Sequence, residues 1–382
     1  MILREELMKT ILNTILTGCA CAAFLMAQTT GYTVADLGAV GAAGQPFYVT
    51  SNGLVSGAAA AANGHGYRAV FWYRGIKNEL GTFGGPNSTA YGVNVWGQIV
   101  GWAETSDTDP NGEDFCGFGS HHVCLPFVSL FGLMIPLPTL GGKNGTANAI
   151  NSRGQAAGFA ETSRFDSTCP APQKLQFKPV VWSFGGVREL PTVGGDAEGI
   201  AYSINESGQV VGASGACAAF NPISLVSLQP LHALLWDANG SVTDLGNLGG
   251  TGHGQGISAS AINNQGHVVG ASDLPGDRTF HAYLWTKATG MQDLGTLLGD
   301  AASAAIGIND AGDIVGVSLD DSFTPRAFVR QSGVMRDLNS MVPANTPLHL
   351  LTACSINARG EIIGIAVTKD GDVHGYMATP SK

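Results

Sequence analysis

Apolar residues in this chain come in short runs, four to a unit, separated by turn residues. The clearest unit spans 260–295, SAINNQGHVVGASDLPGDRTFHAYLWTKATGMQDLG. Its runs are SAIN, HVVGAS, HAYLW and GMQDLG. Short runs bounded by Gly, Asn and Asp predict β-strands. The first two are joined through Asn263-x-x-Gly266. Asn at the first turn position bonds its own backbone ahead, and Gly at the fourth takes the left-handed conformation that returns the chain to a strand. The pairing recurs as Asn94/Gly97, Asn151/Gly154, Asn205/Gly208, Asn309/Gly312 and Asn357/Gly360, with a degenerate copy at Thr50/Gly53. Each Gly opens a strand that closes on another Gly: GLVSG first, then GQIVG, GQAAG, GQVVG, GHVVG, GDIVG and GEIIG. Turn chemistry accounts for these Asn residues without any ligand.

Successive Asn residues stand 57, 54, 58, 46 and 48 positions apart. Four strands repeated at that interval predict an all-β fold, a β-propeller. Its blades fall at about 47–80, 90–140, 147–193, 200–248, 259–297, 304–341 and 350–380. The last lacks a fourth strand, whereas YTVADLG at 32–38 reads as a fourth strand without a blade. Pairing them closes a seven-bladed ring of four-stranded blades and removes an exposed sheet edge. One domain over 28–382 follows, behind a signal peptide at 1–27.

That leader is read from charge and hydropathy. Arg4 and Lys9 precede an apolar run over 10–27, so export is expected, with cleavage after Ala27. Glu5 and Glu6 are unusual there and point to Met8 as the start of translation. LTGC at 16–19 offers the alternative of a lipid anchor on Cys19. No later stretch is long and apolar enough to span a membrane. The formal charge of −10, with no Lys/Arg cluster, argues against a nucleic-acid partner. Gly, at 54 of 382 residues, is about twice the usual ~7%, which suits many tight turns.

Export permits disulfides. Five cysteines follow the leader, at 116, 124, 169, 217 and 354. Cys116 and Cys124 flank one loop and predict a disulfide. Cys169 and Cys217 fall in equivalent loops of adjacent repeats and can pair. Cys354, in an apolar strand, reads as a buried free thiol. A zinc site from Cys116, His121, His122 and Cys124 competes for the first loop, although that spacing matches no usual ligand pattern.

The units read A-x-x-IN-x-x-GQVVG, then HALLW or HAYLW, then TDLGNLGG or QDLGTLLG. They resemble the HAF-repeat family of extracellular bacterial repeat proteins, named for a His-Ala-Phe-like triplet. Here the triplet stands as His232-Ala233-Leu234, His281-Ala282-Tyr283 and His374-Gly375-Tyr376. Other copies depart, as Arg68-Ala69-Val70, Lys178-Pro179-Val180 and Arg326-Ala327-Phe328. The resemblance implies export and repeat architecture, but no reaction and no catalytic residues. A slot that takes His, Arg or Lys reads as a side chain covering a blade face with its polar end in water.

Chemistry is sought in the loops. The glycine-rich segments 84–89, 141–146, 194–199 and 249–256 read as tight inter-blade turns rather than phosphate cradles, since no helix follows them. Loops between second and third strands are short in blades 1, 5, 6 and 7. They are long in blades 2, 3 and 4, at about 105–123, 162–177 and 215–230. Function is commonly grafted onto such loops, so ligand contacts are expected around Asp107, Asp109, Asn111, His121 and His122. Asp107, Asp109, Asn111 and Gly112 carry the D-x-D-x-N-G spacing of a calcium loop. Phe118 stands where the loop's last acidic ligand belongs, leaving Glu113 or Asp114 to substitute; a solvated acidic loop is the plain alternative. If the chain is an enzyme, Glu104 and Glu161, in matched AETS runs, are the candidate acid pair of a glycan hydrolase or lyase, with Asp196 and Glu198 in a nearby inter-blade loop. No nucleophile elbow or metal-binding His pair accompanies them. The leading expectation is an exported, non-enzymatic propeller that binds a glycan or protein surface, with calcium as the one cofactor the sequence suggests. A purely structural surface protein is a third reading.

Overall fold

The computed structural model describes residues 31–41, 44–62, 64–184, 186–221 and 226–381. The leader read at 1–27, with Cys19, lies outside them. Seven antiparallel sheets form a ring, and six of them are built from four consecutive strands each. These blades cover 45–81, 84–136, 141–189, 198–244, 257–293 and 302–337. Blade 7 combines 348–380 with the N-terminal strand Tyr32–Ala39, which pairs antiparallel with Val373–Pro380 as its outermost strand. The fold is therefore the seven-bladed β-propeller read from the repeats, closed where expected.

Its hydrophobic core is a set of seams between blades. At one seam Ala157 and Val181 of blade 3 meet Ala201, Ile204, Val210, Leu234 and Trp236 of blade 4. Burying a large apolar side chain stabilises by roughly 1.5–3 kcal/mol before entropy is counted. Indole N–H groups cross the same seams. Trp182 and Trp236 donate to the carbonyls of Pro138 and Pro191 at 2.7 Å, and Trp72 donates to Leu37 on the closing strand at 2.9 Å.

Each Asn turn forms as drawn, with the closing Gly at positive φ, 77° at Gly97 and Gly266. The Asn side chain does more than hold its own turn. Its Oδ1 accepts from backbone N–H groups two and four residues on, as Asn205 does from Ser207 and Gln209. Its Nδ2 donates to the backbone carbonyl of the next blade's turn. The series runs Asn94 to Asn151, Asn151 to Asn205, Asn205 to Asn263, Asn263 to Asn309 and Asn309 to Asn357, at 3.0–3.2 Å. Asn357 then reaches Thr50 at 2.8 Å. Thr50 has no side-chain amide to pass on, and Asn52 supplies it, donating to Val95 at 3.1 Å. A side-chain amide of a turn thus donates across each of the seven seams.

The second glycine of each repeat has a separate cause. In blades 1 to 6 the innermost strand carries a register shift, for example between Ala201 and Ser203. The shift presses a carbonyl against the second strand. A Cβ on Gly57, Gly101, Gly158, Gly212, Gly270 or Gly316 would overlap the oxygen of Gln45, Thr89, Thr146, Ile200, Ser258 or Ala304.

Two loop assignments change. Segments 84–89 and 141–146 are the first residues of innermost strands, Gly84–Val93 and Gly141–Ile150, rather than free-standing turns. Segment 215–230 is mostly a hairpin extension, because Gly215 pairs with Pro230, Ala216 with Gln229 and Cys217 with Leu228. Cys354 is unpaired and half-buried between two short strands; burial pushes its thiol up to about 11.

Candidate functional site

Strand alternation puts the Asn turns on one face of the ring and the loops between second and third strands on the other. On that loop face, blades 2, 3 and 4 build a continuous cap. Loop 109–121 of blade 2 is closed by Cys116–Cys124, with Cα atoms 6.3 Å apart. Phe118 packs on Trp102 and Tyr67, at ring-centre distances of 5.5 and 5.7 Å, and Phe115 packs on Phe159 of blade 3 at 5.4 Å. Glu113 Oε1 accepts from the backbone N–H groups of Lys174 and Leu175, both at 2.6 Å, tying the blade 2 loop to that of blade 3. Cys169–Cys217 ties blade 3 to the blade 4 hairpin, with Cα atoms 4.9 Å apart.

The candidate acid pair serves this cap from inside. Glu104 and Glu161 are both fully buried. Glu104 accepts from the backbone and side-chain amides of Asn87 at 2.9 Å and from Ser120 Oγ at 2.5 Å. Glu161 accepts from Asn144 N and Nδ2 at 3.0 and 2.9 Å and from Gln173 Nε2 at 3.1 Å. Neither offers an oxygen to solvent; each anchors the start of its blade's innermost strand. Asp273 does the same in blade 5. Three successive N–H groups, of Gly254, Gln255 and Gly256, point at its carboxylate at 2.9–3.0 Å. The glycine-rich segment 249–256 is thus an anion cradle already filled by the chain's own carboxylate. In blade 4 the acid moves to the partner strand, where Glu198 sits opposite Gly215.

The calcium-loop residues separate. Asp107 is exposed, and its carbonyl lies 3.3 Å from His122 Nδ1. Asp109 turns inward. Its Oδ1 accepts from the N–H groups of Asn111 and Glu113 at 2.8 and 3.1 Å, and its Oδ2 accepts from Asn144 Nδ2 at 2.9 Å. His121 Nδ1 lies 3.0 Å from the carbonyl of Gly112. Asp107, Asp109 and Asn111 therefore do not converge on one point. Asp109, Glu113 and Glu161 gather instead around the amides of Asn144 and Gln173, so N–H donors stand where a cation would need oxygen. Burial, reinforced by the charges of Glu113 and Asp109, pushes Glu161 up to about 8. The four-residue zinc reading does not survive, because Cys116 and Cys124 are spent on each other.

A Ser, an Asp and a His do meet in blade 4, unforeseen in the sequence. Asp196 Oδ2 accepts from Ser214 Oγ at 2.5 Å and lies 2.8 Å from His232 Nδ1. The order is wrong for a nucleophile, because Ser214 bonds the carboxylate rather than the imidazole that would take its proton. Two of the triplet histidines reach an acid at the half-exposed edge of their blade. His281 pairs with Asp293 and His374 with Asp36 at 2.9 Å, third strand to outermost strand. Arg326 does the same with Asp337 at 3.2 Å. The Asp of each D-L-G run was the signal, and its register opposite the triplet explains why Arg can replace His.

No family model and no curated protein matches the chain. Solved structures do. The β-propeller domain of the Trilobed protease from Pyrococcus furiosus matches with a TM-score of 0.51 at 10% identity, over 91% of this chain and 93% of that one. It is described as having an open velcro topology, whereas here the N-terminal strand closes the ring. Lower-scoring matches include the six-bladed fucose-recognising lectin of Aleuria aurantia, with a TM-score of 0.34 at 10% identity over 91% of both chains. Trypanosoma rangeli sialidase matches with 0.41 at 9% identity, over 92% of this chain and 55% of that one. The first of these similarities supports the propeller fold seen in the chain's own sheet topology.

Proposed function

We propose that this chain is an exported, non-enzymatic propeller of the HAF-repeat type that binds a glycan or protein surface through the loop face of blades 2 to 4. The observation that carries the reading is the cap itself: three neighbouring loops held in one shape by two disulfides and the Glu113 clamp. A rigid, irregular surface on a repetitive scaffold suits recognition. Export is supported by the leader sequence and by the disulfides, which persist in oxidising compartments. Among the described residues, no helix is long and apolar enough to cross a membrane. A hydrolase reading finds less support, since Glu104 and Glu161 are buried and already hydrogen-bonded.

The test is a glycan and polysaccharide array on the chain from residue 28, with and without calcium. Binding to a defined class is expected in both conditions. It should be lost when 109–121 is replaced by the short loop of blade 5, with the β-sheet signal of the ring retained by circular dichroism. Turnover of a glycan that Glu104→Gln or Glu161→Gln abolishes would replace this reading with the hydrolase. An array without hits, followed by pull-downs without a partner, would leave the structural role.

A further inference from the structure

Glu198 opens the innermost strand of blade 4 and is fully buried. Its Oε2 accepts from Phe177 N at 2.6 Å, while its Oε1 has no hydrogen-bond partner. A carboxylate that keeps one buried oxygen unpaired is costly to hold. Against it lies the Cys169–Cys217 disulfide. A Glu198 carboxylate oxygen and the two sulfurs all lie within 4.8 Å of one another, the one place among the described residues where three metal-ligating atoms converge this closely. Asp166 faces the same carboxyl, and burial and this neighbour raise Glu198 to about 8. Lys178, the cation beside it, has its ammonium 3.4 Å from Thr192 Oγ1 and the Asp196 carbonyl.

We propose that Cys169, Cys217 and Glu198 form a zinc site that exists only when the disulfide is reduced. Two thiolates and a carboxylate are ligands that zinc accepts. The chemistry balances in two stages. A dithiol reductant delivers two electrons and two protons to the S–S bond and becomes a disulfide itself, leaving Cys169 and Cys217 as thiols. Zinc then displaces the two thiol protons and the Glu198 proton, with no further electron transfer. The link between the blade 3 loop and the blade 4 hairpin would thus persist in both redox states, covalent in one and metal-bridged in the other.

The experiment uses the full chain, reduced with dithiothreitol, freed of it without air, and titrated with zinc chloride against a chromophoric chelator. The reduced chain should bind zinc that the oxidised chain does not, counting any taken by Cys116 and Cys124, which the same treatment frees. It should also bind one more zinc than a Cys169→Ser/Cys217→Ser variant treated alike. Glu198→Gln should weaken that zinc by more than about 10-fold. In the unmutated reduced chain, zinc should slow alkylation of Cys169 and Cys217 but leave Cys354 unprotected, which keeps the test free of folding defects in the variants. Equal zinc stoichiometry in the wild type and the double variant would overturn the site. So would unprotected alkylation of Cys169 and Cys217, or a Glu198→Gln chain that binds zinc as tightly as wild type.

Discussion

The two faces of this ring come from the same strands and obey different rules. On the turn face one residue type does one task at nearly every seam: Asn holds its own turn and reaches the next blade's backbone. On the loop face a shared task, anchoring the start of an innermost strand, is met in two ways. Glu104, Glu161 and Asp273 stand at one register of the second strand, and Glu198 supplies its carboxylate from the opposite strand. Blades 1, 6 and 7 put Ala60, Leu319 and Val367 at that register. A turn that requires positive φ and a short side-chain acceptor admits few residues, so it repeats. A buried anion cradle can be filled from several directions, so it drifts. The face that drifts is the face free to carry a cap.

The largest expected effect would break the comparison at its most repetitive point. Gly212→Ala drives a Cβ into the Ile200 carbonyl. Overpacking against backbone should cost about 3 kcal/mol or abolish folding, as read by denaturant titration. Wild-type stability there would mean that the repeated glycines are inherited rather than required. Next comes Asn205→Ala, which strands the Ser207 and Gln209 N–H groups and the Asn263 carbonyl. A loss of about 2–3 kcal/mol is expected, and a loss below ~1 kcal/mol would reduce the seven-seam ring to ordinary turn chemistry.

The loop face is sharpened by pH. Glu161 rises from an ordinary 4.5 to about 8 in the folded chain. Between those values the native state holds a proton that the unfolded state has released. Stability from this group therefore falls as pH rises through that window. Glu161→Gln should flatten the fall in melting temperature between pH 5 and 8, whereas an unchanged slope would remove Glu161 as its source. The smallest effect is expected at Gly266→Ala, where positive φ is strained but no backbone lies close. Its cost should be roughly 1 kcal/mol, and a result matching Gly212→Ala would show that conformation rather than crowding governs both.

Much of the architecture was legible because spacing encodes it. N-x-x-G declares a turn, the interval between turns declares a blade, and an orphan YTVADLG declares the closing strand. The candidate site was legible only as composition. Asp107, Asp109 and Asn111 have calcium-loop spacing, yet Asp109 turns inward to Asn144 while Asp107 faces water. Spacing reports neighbours along the chain, whereas one Asp109 oxygen is claimed by Asn144, 35 positions away in the next blade. Glu104 and Glu161 read as a catalytic pair for the same reason: a matched pair of acids looks alike whether it faces solvent or a buried amide.

The sequence by itself determined the blade count, the turns and the closure, because these rest on local φ, ψ preference and strand period. Tertiary structure alone decided that Asn links blades, that the triplet His finds the D-L-G Asp, and that Glu198 lies against a disulfide. Each is a contact between segments distant in the chain, made where packing removes water and leaves a polar group no partner but the one the fold provides.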